Sequence, residues 1–198
     1  THCISSAASD VYKRQEFNDI VTLDNVVSAI QRAEMVMKIV DEVQRGISEL
    51  GQDGRLISMQ LEELVGGLER EELFIIKDYL CRETNKTEDE ALEEIIKLPY
   101  EELLKTSSIA RALGYDNFDN YDEVGVYTRG YRILSKIPRV PNNIVENLVK
   151  SFDSFQHILD ADIPELDEVE GIGEVRAKTI KQSLKRMQEQ FIFDNALI

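Results

Sequence analysis

Apolar residues recur every three to four positions along most of this chain, and no segment alternates apolar with polar residues for long. The pattern predicts an all-α protein. Helical order begins near Phe17, with Thr22 or Asp24 as the starting cap. Val26, Val27, Ile30, Ala33, Met37, Val40, Ile47 and Leu50 then mark one side of a long helix. Met35, Val36 and Met37 read as packing residues that face the core or a partner. Gly51 and Gly54 are expected to break the pattern. A second helix carries Leu56, Met59, Leu64 and Val65, with an interruption at Gly66-Gly67. The block Leu73-Phe74-Ile75-Ile76, with Tyr79 and Leu80, is too dense for a surface helix and is expected in the core. Thr87 followed by Glu88, Asp89 and Glu90 forms a helix start, with acids where the helix dipole favours them. Ala91, Leu92, Ile95, Ile96 and Leu98 continue that helix to Pro99. Short helices follow at Glu101 to Leu104 and at Ile109 to Leu113, the latter ending at Gly114. The polar, Tyr-rich stretch from Asn117 to Val126 reads as a linker.

The last part of the chain holds two turns of one kind. In Leu166-Asp167-Glu168-Val169-Glu170-Gly171-Ile172-Gly173-Glu174-Val175-Arg176-Ala177, a short helix is followed by a tight glycine turn. A second helix then buries Ala177, Ile180 and Leu184. A shift of 32 positions lays Leu134 on Leu166, Ile137 on Val169, Val140 on Ile172, Val145 on Ala177 and Leu148 on Ile180. Phe152, Phe155, Ile158 and Leu159 suit a helix connecting the two. The expected order is therefore a foreign tail at residues 1–15, an acidic helical spine at 16–127 and paired hairpins at 128–198. The tail is assigned as foreign because Asp10-Val11-Tyr12-Lys13-Arg14-Gln15 back-translates to GATGTGTATAAGAGACAG, which resembles the end of a transposase sequencing adapter. It is too polar for a signal peptide.

Composition changes the picture in one respect. The formal charge of −15 argues against a nucleic-acid partner when taken whole. Residues 16–128 hold 11 basic against 26 acidic groups, whereas residues 129–190 hold 10 of each. Only the C-terminal part suits DNA. Apolar content of 42% is enough for a core, and no run of about 18 apolar residues offers a membrane span. Cys3 and Cys81 make no disulfide framework, so a reducing cytoplasm is the default.

The chemistry concentrates at the second turn. Free amides at a helix start, with the helix dipole behind them, favour an anion. Gly171, Ile172, Gly173, Glu174 and Val175 offer those amides, and Arg176, Lys178 and Lys181 follow on the same helix as cations expected to neutralise further phosphates. A phosphate is the expected guest. In the first turn Pro138 and Pro141 lack an N–H, so Arg139, Asn142 and Asn143 are the groups expected to reach a backbone there. An ordinary helix-helix turn with a solvated basic face explains a lone Gly-x-Gly equally well, and the repeat is what favours the phosphate reading. His157 reads as a partly buried packing residue. The acids at Glu88, Asp89, Glu90, Glu93 and Glu94 read as a solvated helix face with no metal, since no His or Cys lies beside them. No nucleophile–base set and no Walker-type glycine loop is present.

The turn pattern resembles the helix-hairpin-helix motif. Four segments together resemble the DisA family of DNA integrity scanning proteins, bacterial diadenylate cyclases. They are Arg32-Ala33-Glu34-Met35-Val36-Met37-Lys38-Ile39, Leu73 to Tyr79, Arg129 to Pro141 and Leu166 to Ala177. The resemblance implies a helical spine and a paired helix-hairpin-helix domain that binds branched DNA such as a recombination junction. It implies a parent that makes cyclic di-AMP from two ATP with a divalent metal (Mg or Mn), and that assembles as an octamer. The family's Asp-Gly-Ala and Arg-His-Arg cyclase segments are absent from this sequence. The chain is accordingly expected to carry no cofactor and no catalytic residue of its own. A hairpin module for protein association, without DNA, is the alternative, and an enzyme built on the acids near Glu88 ranks last.

Overall fold

The computed structural model describes residues 21–47, 51–116, 118 and 120–196. The expectations for the foreign tail, for Cys3 and for Leu50 lie outside them. Among the described residues the regular structure is helical apart from two strands of two residues each, β1 (Val21–Thr22) and β2 (Gly125–Val126), which pair with each other. The described residues divide into two compact units, Thr22–Gly125, and Val126 onward together with Val21.

The first unit is built around α1 (Leu23–Ile47). Thr22 accepts from the Asn25 amide at 3.4 Å and so caps its start. Leu23, Val26, Val27, Ile30, Ala33, Val40 and Ile47 are buried along one side. Against α1 pack α2 (Gly51–Val65), α3 (Leu68–Tyr79), α5 (Tyr100–Leu103) and α6 (Thr106–Ala112), while α4 (Glu88–Ile96) packs on α3 and α6. Ile75, Ile76, Tyr79 and Leu80 are core, as the apolar density of that block predicts. Thr87 and Glu90 form a reciprocal capping box at the start of α4. Lys86 seats its ammonium 2.6 Å from Glu94 and 3.1 Å from the Arg111 carbonyl, closing the end of α6.

One expectation is corrected here, and two readings gain detail. Gly54 does not break the chain, because it lies inside α2; a helical glycine costs only about 1 kcal/mol. Leu56 and Met59 of that helix are 63% and 66% exposed, so α2 is not buried through them. The stretch after Asn117 is not featureless: Asn120 caps a 3-10 turn (Tyr121–Glu123), and the Val124 carbonyl accepts from the Leu23 amide at 2.8 Å.

The second unit contains α7 (Tyr131–Leu134), α8 (Asn142–Ser151), α9 (Phe155–Asp160), α10 (Ile163–Asp167) and α11 (Glu174–Ala196). The pairs Leu134/Leu166, Ile137/Val169, Val140/Ile172, Val145/Ala177 and Leu148/Ile180 are all buried. The 32-residue repeat thus supplies one core from two matching halves. Helix α9 connects them and buries Phe155, Ile158 and Leu159. Phe152 falls outside it, as the extended residue that ends α8. His157 is exposed, contrary to the packing role expected of it, because the buried face of so short a helix is taken by its three apolar residues.

Candidate nucleic-acid interface

The repeat extends to individual backbone hydrogen bonds. In the first turn Ile137 N–H donates to Leu134, Val140 to Ile137, and both Ile144 and Val145 to Pro141. In the second, Val169 donates to Leu166, Ile172 to Val169, and Arg176 and Ala177 to Gly173. Each bond in one set maps onto the other by 32 positions.

The same register exposes where the two turns differ. Gly171 has φ +80°, a left-handed conformation that glycine adopts without steric cost. Its counterpart is Arg139, held at φ 65°, the one non-glycine residue with positive φ among those described. For an ordinary L-residue this conformation costs about 1–2 kcal/mol. A Cβ on Gly171 would also stand 2.8 Å from Cδ1 of Ile144, so the first half of the repeat packs directly beneath the second turn. Asn147 of α8 donates to the Glu170 carbonyl at 2.9 Å and braces the turn from the same side.

Gly173 is different in kind. Its φ is not positive, and a Cβ built on it would meet nothing within 4 Å. Neither fold nor packing demands glycine there. The amides of Gly173, Glu174 and Val175 find no acceptor among the described residues. They lie at the start of α11, the end where a helix favours negative charge. Pro141 stands in the place of Gly173 in the first turn and removes one of the three donors.

The side chains around these amides divide by task. Ile172 is buried and anchors the turn in the core. Arg176 folds back to donate to the Gly171 carbonyl. Lys178 pairs with Glu174 at 2.5 Å, both exposed, and this hydrogen-bonded cation holds the Glu174 carboxyl below its ordinary range. Val175 is 82% exposed. Lys181, read from sequence as a phosphate contact, points its ammonium at the carbonyls of Leu159 (2.7 Å) and Ala161 (2.5 Å) and closes the C-terminal end of α9. It is a helix cap, and its spacing along α11 gave no sign of this because the end of α9 is distant in sequence. Arg139, Asn142 and Asn143 are exposed on the first turn, and neither asparagine side chain caps α8.

The acids of α4 do not converge. Glu90 is committed to its capping box, Glu93 pairs with Lys97 at 2.8 Å, and Glu94 with Lys86. No group of three His, Cys, Asp or Glu is arranged to hold a metal among the described residues. No described helix is long and apolar enough to cross a membrane.

These features define a helical protein whose C-terminal unit is a tandem helix-hairpin-helix, with one turn open at a helix N-terminus. The comparisons agree. A family model described as the DisA bacterial checkpoint controller linker region matches residues 6–121. A model of a SAM-like helix-hairpin-helix tandem matches residues 131–186. The first match starts inside the segment assigned from sequence as foreign. The DNA integrity scanning protein DisA of Acetivibrio thermocellus is 52% identical over 180 residues, which are 91% of this chain and 50% of that protein. That of Clostridium botulinum strain Eklund 17B is 49% identical over 182 residues (92% and 51%), and that of Carboxydothermus hydrogenoformans 51% over 175 (88% and 50%). The chain belongs to the DisA family, and it spans about half the length of the curated relatives it matches.

Proposed function

We propose that this chain is the DNA-structure-sensing part of a DisA-like diadenylate cyclase, and that it binds branched DNA through its paired hairpins. The observation that carries the reading is the second turn, where a glycine the fold does not need stands beside three free amides at a helix start. A phosphate oxygen would accept from those amides. Arg139, Asn142, Asn143 and Lys178 would add contacts to the backbone. Arg139 is held in a costly conformation, and such strain concentrates at functional positions. Contacts of this kind position a duplex without reading bases, so shape is preferred over sequence. The acidic first unit would repel DNA and leave binding to the hairpin unit.

In the whole protein, the missing half would condense two ATP into cyclic di-AMP with Mg or Mn, in a cytoplasmic octamer associated with the nucleoid. This chain alone would make no cyclic di-AMP. Two to four phosphate contacts imply a log–log salt slope of roughly −2 to −4 per copy, so affinity would come largely from multivalency. Fluorescence anisotropy with a four-way junction and a matched linear duplex, each at two salt concentrations, tests the reading. Tighter, salt-sensitive junction binding supports it; equal binding to both DNAs, or absent binding by the folded chain even when fused to a neutral oligomer, removes it.

The exposed Val175 favours a second reading, a protein-association module. The reversal Lys178→Glu separates the two, since it should weaken DNA binding and leave protein association intact.

A further inference from the structure

Glu34 on α1 and Glu72 on α3 are 2% and 1% exposed. A buried charge is retained only where it is paired and hydrogen-bonded. No N–H or hydroxyl reaches Oε1 of Glu34 or either oxygen of Glu72. The two carboxyls instead lie within hydrogen-bonding reach of each other. The cation beside them, Lys38, stands 4.0 Å from Glu34 and is shared with the Ile96 carbonyl at 3.0 Å. One loosely held cation does not neutralise two buried anions. Two carboxylates repel, whereas one acid and one carboxylate share a hydrogen bond.

We propose that Glu34 and Glu72 hold one proton between them, and that this bond is a pH-sensitive latch between α1 and α3 that opens when the proton leaves. Burial first, then the charge of Glu34, pushes Glu72 up from 4.5 to about 8. Burial likewise raises Glu34, opposed by Lys38. The charged groups acting on the pair are Lys38 and Asp41 of α1 and Glu69 of α3. Among the residues whose side chains are described, no charged group of α2, α4, α5, α6 or the 3-10 turn shifts either carboxyl appreciably.

The sign follows from where the proton binds. The unfolded chain loses it near 4.5 and the folded chain near 8. The stabilisation is therefore complete below about pH 4.5 and is lost as pH rises through about 8. In that window one extra bound proton makes the unfolding constant grow about tenfold per pH unit.

The test is urea unfolding of the full chain, followed by circular dichroism from about pH 5 to about pH 8. Glu72→Gln keeps a donor for Glu34 but carries no titrating proton. The wild type should lose stability across the window. Glu72→Gln should lose about tenfold less per pH unit and be the more stable protein at the alkaline end. An equal slope in both, or a flat wild-type profile, overturns the latch. If Glu72→Gln does not fold, Glu34→Gln removes the neighbouring charge but leaves Glu72 buried, so its profile should fall less steeply than the wild type's without becoming flat; failure of both to fold overturns the proposal, because an amide donor should replace the acid. A chelator should leave the wild-type profile unchanged, and destabilisation by it would make the pair cation ligands and the latch wrong.

Discussion

Gly171 and Gly173 sit two residues apart in one turn, yet substitutions at them should fail in opposite ways. Gly171→Ala forces an L-residue to φ +80°, at about 1–2 kcal/mol. It also sets a Cβ 2.8 Å from Ile144 Cδ1, a contact that a flexible methyl relieves in part for about 1 kcal/mol more. A total of about 2–3 kcal/mol would lower the melting temperature of a unit this size by roughly 8–24 °C. Gly173→Ser has neither cost. Its Cβ enters open space, and serine is a good residue to cap α11, so stability should stay within about 0.5 kcal/mol. The same Cβ and hydroxyl would occupy the approach to the free amides. Charge-assisted hydrogen bonds are worth about 1.5–3 kcal/mol, so junction affinity should fall roughly 10- to 150-fold. Calorimetry and anisotropy on the two single variants measure both quantities. Wild-type DNA affinity in a folded Gly173→Ser protein would refute the amide cradle. Replacing both glycines by valine would not, because the strain at Gly171 alone could account for any loss.

Arg139→Gly removes a strained side chain at the matching position; relief of about 1–2 kcal/mol less glycine's entropy cost leaves a gain of up to about 1 kcal/mol in thermal unfolding, with weaker DNA binding. Lys181→Ala should cost about 1–2 kcal/mol of stability by freeing the carbonyls at the end of α9. Lys178→Ala breaks an exposed pair that contributes little to stability, and should lower affinity instead. Glu174→Gln removes a like charge from the cradle and releases Lys178, so binding measured by anisotropy should tighten by a few-fold.

The repeat was legible because each half keeps five apolar positions at fixed spacing, and burial requires them. The capping box at Thr87 was legible because its two partners are three residues apart. The distinct tasks of Gly171 and Gly173 were not, since φ and the approach of Ile144 are properties of the folded turn. The place of Arg139 was available from the 32-residue register, which lays it on Gly171. The cap that Lys181 makes was not legible, because a basic residue on a helix names no acceptor until the neighbouring helix end is in place. Nothing in the sequence sets Glu34 and Glu72 apart from the other glutamates, most of which are exposed, and only tertiary packing hides them.

The central claim is that backbone amides at the start of α11 hold a DNA phosphate. Titrating isotope-labelled full chain with a four-way junction, while following each backbone amide by NMR, tests it directly. The account predicts the largest shifts at Gly173, Glu174 and Val175, with smaller ones at Asn142 and Asn143 and none in α4. Shifts confined to other surfaces, with these amides unmoved while DNA is bound, would contradict it.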